Sequence, residues 1–266
     1  MTYPNFSPDI FSIGPFTVRW YGFMYLLGFL SAWLLGRRRA KTNGVFTPSQ
    51  FDDVLTWGIA GVLLGARLGY VIFYNPLYYI EHPLEIFSVW QGGMSFHGGF
   101  LGVMIASGLA GRRYGKSLFR TMDFMAPLVP PGLFFGRLGN FINAELWGKT
   151  TDVPWGMVFP GAGPLPRHPS QLYEAALEGA LLFAILWTFS AKPRPTMAVS
   201  GVFALGYGVF RFFVEFFRVP DAHIGYLAFG WLTMGMVLCI PVILTGVLLL
   251  LLAYGKKARK GTPEKR

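Results

Sequence analysis

The sequence predicts an all-α polytopic membrane protein with about seven transmembrane helices and a small extracytoplasmic cap. Of its 266 residues, 53% are hydrophobic and only 14% are charged, and the mean hydropathy is +0.45. A spanning helix needs about 20 mostly apolar residues, and seven such stretches lie approximately at 15–36, 51–73, 95–111, 119–142, 170–190, 197–217 and 226–253. Because these stretches leave little room for a soluble domain, residues 1–266 are predicted to form a single transmembrane domain.

Small residues recur every four positions in the second and third predicted spans, at Gly61, Gly65 and Gly69 and at Gly98, Gly102 and Ala106. This spacing lets two helix backbones approach each other closely. Arg67 lies within the first set of glycines, and a charge at that depth must reach a partner or an interface. We expect it to form a structural ion pair.

Basic residues crowd alternate loops, which predicts the orientation of the chain. They follow the first, third, fifth and last spans, at Arg37, Arg38, Arg39, Lys41, Arg112, Arg113, Lys116, Lys192, Arg194, Lys256, Lys257, Arg259, Lys260, Lys265 and Arg266. The opposite loops hold only Lys149, Arg167 and Arg218. This asymmetry predicts an external N-terminus and a cytoplasmic C-terminus. The net charge of +10 is then explained by contact with the lipid bilayer, and no soluble basic face with interleaved aromatics indicates nucleic-acid binding.

The segment 143–169 is predicted to form the extracytoplasmic cap between spans four and five. It contains five prolines and two tryptophans, at Pro154, Pro160, Pro164, Pro166, Pro169, Trp147 and Trp155. Anchoring at the membrane interface is the simpler explanation for its aromatic residues. Pro169 and Ser170 predict the start of the fifth span, with Ser170 as its N-cap.

The outer end of the fourth span carries a group of polar residues on an apolar segment. A charge near the bilayer centre costs roughly 2.5–3.5 kcal/mol on insertion scales, so such groups usually face a cavity, a partner or a substrate. Arg137 and Asn140 share a helix face and can contact one ligand together. Asn143 and Glu145 follow them in the sequence.

A second polar group, His97-Gly98-Gly99, opens the third span. Glycines at a helix N-terminus offer backbone N–H groups and the positive end of the helix dipole to an anion. An equally good explanation is that Gly98 and Gly99 serve helix packing and that His97 makes an interfacial hydrogen bond.

Two further groups occur in the sixth and first spans. Tyr207, Arg211, Glu215 and Arg218 follow one another at spacings of four, four and three, which places them on one helical stripe. A self-neutralising Arg211–Glu215 pair is the alternative interpretation. Tyr21 lies at the start of the first span, where Trp and Tyr are ordinarily part of an aromatic belt.

Together these groups suit a phosphorylated lipid at the outer leaflet, because arginine binds phosphate bidentately and stays charged when partly desolvated. The four histidines, His82, His97, His168 and His223, are scattered, and neither an HExxH nor a nucleotide-binding motif is present. The single Cys239 lies in an apolar span and is predicted to be a core residue. We therefore expect a group transfer without metal or cofactor.

Five motifs extend over nearly the whole chain. They are IGPFTVRWYGFMYLLGF at Ile13–Phe29, HGG at His97–Gly99, GRLGNFINAELWG at Gly136–Gly148, RHPSQLYEA at Arg167–Ala175 and YGVFRFFVEFFR at Tyr207–Arg218. In these motifs and their order, the chain resembles the bacterial prolipoprotein diacylglyceryl transferases, with no departure at the motif positions. The resemblance implies a multi-pass protein of the bacterial cytoplasmic (inner) membrane with an extracytoplasmic active face.

The resemblance also implies an activity. Members of this family transfer the sn-1,2-diacylglyceryl group of phosphatidylglycerol to the lipobox cysteine of a preprolipoprotein signal peptide, forming a thioether and releasing glycerol 1-phosphate. The functional set that it implies is Tyr21, His97, Arg137, Asn140, Glu145, Gly148, Tyr207, Arg211 and Glu215.

We expect Arg137 and Arg211 to hold the phosphate and His97 or Tyr207 to act as the general base, with His97 favoured. Asn140, Asn143 and Gly148 would shape the headgroup pocket, with Gly98 and Gly99 also binding substrate. Glu145 and Glu215 would orient the arginines, since a carboxylate beside arginine is held ionised. The alternatives are another metal-free lipid-phosphate enzyme and a transporter of an anionic substrate.

Overall fold

The computed structural model describes residues 1–14, 16–88, 90, 92–220 and 224–260, with side chains for all of these except Phe16 and residues 256–260. His223, Lys265 and Arg266, which the sequence singled out, lie outside the described residues. The basic side chains at 256–260 are likewise outside the description, although their backbone is helical.

Helices make up most of the described chain, which confirms the predicted fold class. They are α1 (Trp20–Asn43), α2 (Pro48–Tyr74), α3 (Pro76–Glu81), α4 (Phe96–Arg113), α5 (Leu118–Met125), α6 (Val129–Ile142), α7 (Ser170–Glu174), α8 (Leu182–Phe189), α9 (Ala198–Glu215) and α10 (Met234–Lys260). A π-helical segment, Ala175–Leu181, joins α7 to α8, and 3₁₀ turns cover Pro83–Phe87 and Ala126–Leu128. Two antiparallel hairpins, which the sequence did not predict, pair β1 (Asp9–Ile13) with β2 (Phe16–Arg19) and β3 (Tyr226–Ala228) with β4 (Leu232–Thr233).

Within the described residues, four helices are long and apolar enough to cross a membrane. They cover Pro48–Tyr74, Ser170–Phe189, Ala198–Glu215 and Met234–Gly255. Each coincides with one of the predicted spans, so the chain is a membrane protein. The count of seven spans stays a prediction.

The three remaining predicted spans differ from these four. The first begins with a hairpin and becomes helical at Trp20, and the third corresponds to α4, with 18 residues. The stretch 119–142 does not form the one continuous helix expected, because α5 ends at Met125 and α6 begins at Val129. Pro127, Pro130 and Pro131 explain the break, since proline lacks the N–H that a helix interior needs.

The chain divides into two compact units, residues 1–34 with 126–266 and residues 35–125. In the second unit, α2 and α4 pack closely through glycines. A Cβ added to Gly65 would lie 2.8 Å from Cα of Gly102, and one added to Gly69 would lie 2.8 Å from Cα of Gly98. The predicted close approach of these two backbones is therefore confirmed.

Arg67 does not form the ion pair expected for it within the described residues. Its guanidinium is buried and donates to four backbone carbonyl oxygens, those of Glu85, Ile86, Gly92 and Gly93. Carbonyls therefore take the place of the predicted carboxylate.

In the first unit, the N-terminal segment contacts both the cap (residues 143–169) and the end of α6, and the Tyr3 N–H donates to the Val158 carbonyl in the cap (3.3 Å). The Tyr3 hydroxyl lies 2.7 Å and 2.8 Å from the carbonyl oxygens of Phe141 and Ile142, at the end of α6. Helix α7 begins at Ser170, but Pro169 occupies the N-cap. The Ser170 hydroxyl donates to the Leu146 carbonyl instead (3.0 Å), so the predicted N-cap role of Ser170 was wrong.

Candidate functional site

A buried cluster of charged residues lies in the first unit, and Glu174 is its centre. This side chain is fully buried at the end of α7. Its Oε1 is 2.5 Å from Nη1 of Arg218 and 3.6 Å from Nη1 of Arg211, and its Oε2 pairs with Nε of Arg137. One carboxylate thus contacts three arginines, one from α6 and two from the end of α9 and the residues just after it.

Glu215 is the second carboxylate of the cluster. Its Oε1 lies 2.5 Å from Nη2 of Arg211 and 3.2 Å from Nε of Arg218, and its Oε2 accepts a hydrogen bond from the Thr233 hydroxyl (2.8 Å). The Arg211–Glu215 pair that the sequence suggested is present. It is not self-contained, because Arg211 also pairs with Glu174.

Glu178, the third carboxylate, lies in the π-helical segment and is fully buried. Its Oε2 is 4.0 Å from Nη2 of Arg137, and within the described residues neither of its oxygens has a hydrogen-bond partner. Nη1 of Arg211 also lacks a hydrogen bond there. Buried polar groups are rarely left unpaired, and π-helical turns are frequent at functional sites. In the described part of the chain, both groups make ion pairs but no hydrogen bond, which marks this cluster as a candidate binding site.

Arg137 is connected to Glu145 by hydrogen bonds through the side-chain amide of Asn140. Its Nη1 donates to Oδ1 of Asn140 (3.4 Å), whose Nδ2 donates to Oε1 of Glu145 (2.8 Å). Nδ2 of Asn143 lies 3.4 Å from the same carboxylate oxygen. Ala144 has a positive φ of 53°, which turns the chain back after α6. Within the described residues Glu145 contacts no arginine directly, so any orienting effect on Arg137 acts through Asn140.

Gly148 lies where three backbone segments meet. Its N–H donates to the His168 carbonyl (2.9 Å), and an added Cβ would lie 2.5 Å from the Phe217 carbonyl oxygen. Glycine is therefore required for packing between the cap and the end of α9.

His168 is half-buried in the cap next to this glycine. Its Nδ1 lies 3.1 Å from the Tyr173 hydroxyl, which accepts a hydrogen bond from Nε1 of Trp155 (2.7 Å). Burial, and secondarily the charge of Lys149, lowers the pKa of His168 below its ordinary value of 6.5. The neutral imidazole is therefore the form that the cap favours.

Two predicted tyrosines also lie in the first unit. The Tyr21 ring packs against α6, since a Cβ on Gly139 would lie 3.0 Å from Cδ2 of Tyr21. Tyr207 stacks on Phe203 and packs against the core around Leu182, and it interacts electrostatically with Glu178.

His97, Gly98 and Gly99 belong to the second unit, at the start of α4. His97 is exposed. The Gly98 N–H donates to the Ser95 hydroxyl (3.2 Å) and the Gly99 N–H to the Ser95 carbonyl (3.0 Å). Because both amides already have acceptors, the helix-packing interpretation accounts for the two glycines better than anion binding does.

The sequence reasoning omitted Glu174 and Glu178 from the site and left Arg218 out of the functional set. Two carboxylates four residues apart in an apolar span were the available signal, since both are costly there. A cavity of about 50 Å³ lies against Arg211 and Arg218, large enough for one or two waters. Within the part of the chain that is described, no group of three or more His, Cys, Asp or Glu could hold a metal ion.

Comparison with known proteins gives consistent matches along the chain. Residues 8–252 match the sequence profile of the family described as prolipoprotein diacylglyceryl transferase. The chain is 66% identical over 248 residues to the phosphatidylglycerol–prolipoprotein diacylglyceryl transferase of Oleidesulfovibrio alaskensis, covering 93% of each chain. It is 60% identical over 259 residues to the protein of that name from Pseudomonas aeruginosa, covering 97% of each.

All five motifs lie within residues 8–252, the part of the chain that matches the family profile. The profile thus covers both the buried charge cluster of the first unit and the His97 segment of the second. The chain therefore belongs to the prolipoprotein diacylglyceryl transferase family of membrane enzymes.

Proposed function

We propose that this chain transfers the sn-1,2-diacylglyceryl group of phosphatidylglycerol to the lipobox cysteine thiol of a preprolipoprotein. The observation that carries the proposal is the group of three arginines around Glu174, in a chain whose relatives are named for phosphatidylglycerol and prolipoprotein. A phosphate anion is the ligand that such a group of guanidinium ions recognises.

The reaction forms one bond and breaks one. The cysteine sulfur attacks the glyceryl carbon that carries the phosphate ester, a C–S thioether forms, and the C–O bond breaks with its electron pair going to oxygen. Glycerol 1-phosphate leaves, and the thiol proton goes to a base. Since a free thiol has a pKa of about 8.5, a base is needed near neutral pH, and general-base help is typically worth ~10²–10⁴-fold.

His97 is the proposed base, and Tyr207 is the alternative. The imidazole of His97 is exposed, and histidine is the side chain that most often acts as a general base. Tyr207 packs against the core around Leu182, whereas His97 is exposed.

Arg137 and Arg211 are the proposed phosphate ligands, and they also stabilise the charge that grows on the leaving group. Nη1 of Arg211 lies 3.6 Å from Oε1 of Glu174 but makes no hydrogen bond within the described residues, and in this proposal it donates to a phosphate oxygen. The proposed headgroup contacts come from Tyr21, Asn140, Asn143 and Glu145. Glu215 holds Arg211, and Gly148 shapes the wall next to the cap. Gly98 and Gly99 would place His97.

We place the protein in the bacterial inner membrane as a single transmembrane domain. The basic loops put the N-terminus outside, the C-terminus in the cytoplasm and the cap on the external face. The site would then open toward the side on which a secreted preprolipoprotein presents its signal peptide.

The test uses purified protein in phosphatidylglycerol vesicles with a lipobox peptide. Mass spectrometry should find the peptide heavier by one diacylglyceryl group and an equal amount of glycerol phosphate. Free diacylglycerol with unmodified peptide would instead identify another lipid-phosphate enzyme, and absence of any turnover would favour an anion transporter.

A further inference from the structure

The contacts of Arg67 form a compact clamp in the second unit. Nε donates to the carbonyl of Ile86 (2.8 Å), Nη2 to that of Glu85 (2.6 Å), and Nη1 to those of Gly92 (2.6 Å) and Gly93 (3.2 Å). The side chain is only 4% exposed, and its guanidinium carbon lies 5.2 Å from the centre of the Tyr79 ring. One side chain therefore ties two separate stretches of backbone to α2.

The second of these stretches leads directly into α4. Gly93 lies two residues before Ser95, the N-cap of this helix, and the Ser95 N–H donates to the carbonyl of Ala66 (2.8 Å). Arg67 thus binds the residue before Met94, and Ala66 binds the residue after it. His97 is the second residue of α4, so its position relative to α2 is fixed by these bonds.

The glycine contacts make this placement narrow. A Cβ on Gly93 would lie 2.9 Å from Nη1 of Arg67, and a Cβ on Gly69 would lie 3.1 Å from Cβ of Ser95. These close contacts leave no space for the start of α4 to move toward α2. Displacements of about 1 Å at a reacting group can cost on the order of 10²-fold in rate.

We propose that Arg67 is a positioning residue that sets His97 for proton removal from the substrate thiol. The inference rests on the proposed function, in which His97 is the base. It gives a reason for keeping an arginine at this depth in an apolar helix, where a charge is costly.

Lysine cannot replace this guanidinium. The carbonyls that Arg67 binds lie on different sides of its planar fork, and they are reached by three different nitrogen atoms. An ammonium presents its donors from one nitrogen at the end of a flexible chain. Arg67→Lys should therefore keep the charge and release at least one of the two backbone stretches.

The experiment is a double-mutant cycle on thioether formation by the full-length protein in phosphatidylglycerol vesicles. It compares wild type, Arg67→Lys, His97→Gln and the double variant, with Arg67→Gln measured in parallel in case the lysine variant does not insert. Arg39→Lys is the matched control, because Arg39 is also a buried arginine of the second unit and stacks on Phe124.

We expect Arg67→Lys to slow the reaction by roughly 10- to 100-fold in the wild-type background and by less than about threefold in the His97→Gln background, because coupled residues are not additive. Arg67→Lys and Arg39→Lys should lower the thermal unfolding midpoint by similar amounts. Only Arg67→Lys should slow thioether formation. Equal fold losses in both backgrounds would overturn the proposal and leave Arg67 a purely structural residue.

The proposed function can fail separately. If wild type forms no thioether, the transferase assignment is wrong, whatever Arg67 does. If wild type is active and His97→Gln is equally fast, His97 is not the base. The proposal that Arg67 acts by positioning His97 is then wrong as well.

Discussion

Nη1 of Arg218 lies 2.5 Å from Oε1 of Glu174, although 44 residues separate them in the chain. This contact joins the end of α9 to the helix that follows the cap. Because Glu174 also pairs with Arg137 and Arg211, this buried carboxylate contacts all three arginines of the cluster, whereas Glu215 contacts two of them. The arrangement of the proposed phosphate site would thus depend on a residue that need not touch the phosphate.

Replacing Glu174 tests this dependence. Glu174→Gln keeps the shape of the side chain but removes its charge, and breaking a buried ion pair typically costs about 3–5 kcal/mol. We expect both the unfolding midpoint and the rate of thioether formation to fall sharply. Glu81→Gln, at an exposed carboxylate on α3, is the control and should match wild type. A stable, fully active Glu174→Gln protein would show that the arginines need no common partner.

The two proposed phosphate ligands, Arg137 and Arg211, can be tested by substitutions that keep the positive charge. Arg137→Lys and Arg211→Lys lose the bidentate fork, and a hydrogen bond to a charged group is worth roughly 1.5–3 kcal/mol, so each variant should be slower by about 10- to 100-fold. The control is Arg19→Lys, whose side chain is 73% exposed in a loose pair with Asp9. Near-normal turnover of correctly inserted lysine variants would reduce Arg137 and Arg211 to general charge partners.

Gly148 gives a steric prediction. Gly148→Ala would place a methyl group 2.5 Å from the Phe217 carbonyl oxygen, and such overpacking typically costs about 1–3 kcal/mol. Limited proteolysis should cut the cap of this variant faster than that of wild type. In Gly136→Ala the added methyl meets no atom within 4 Å, and cleavage should be unchanged. Equal protection of both variants would contradict the packing role.

His168 predicts a pH dependence of cap stability. Its folded-state pKa is lowered from 6.5 by burial, so the unfolded chain binds more protons at acidic pH. This contribution to the free energy of unfolding is therefore complete above about pH 6.5 and is lost as the pH falls below that value. Protection of the cap from proteolysis should decrease from pH 7 to pH 5, and less so in His168→Gln than in a His82→Gln control. An identical decrease in the two variants would exclude His168 as its source.

The fold class and the arginines could be predicted from the sequence because apolar length and buried charge are local properties. Arg137, Arg211 and Glu215 stood out as charges on apolar helices, and the structure brings them together. The partner of Arg67 could not be predicted, because backbone carbonyls leave no mark in a sequence. The role of Glu174 was missed since all three of its partners are far from it in the sequence, one on α6 and two near the end of α9.

The central claim is that the arginine cluster of the first unit binds the phosphate of phosphatidylglycerol. Phosphatidylglycerol carrying a photoreactive group on its headgroup tests this directly, with the labelled peptides identified by mass spectrometry. The account predicts label in the segment 136–148, suppressed by unmodified phosphatidylglycerol. Absence of label from this segment, or label that phosphatidylglycerol does not displace, would contradict it.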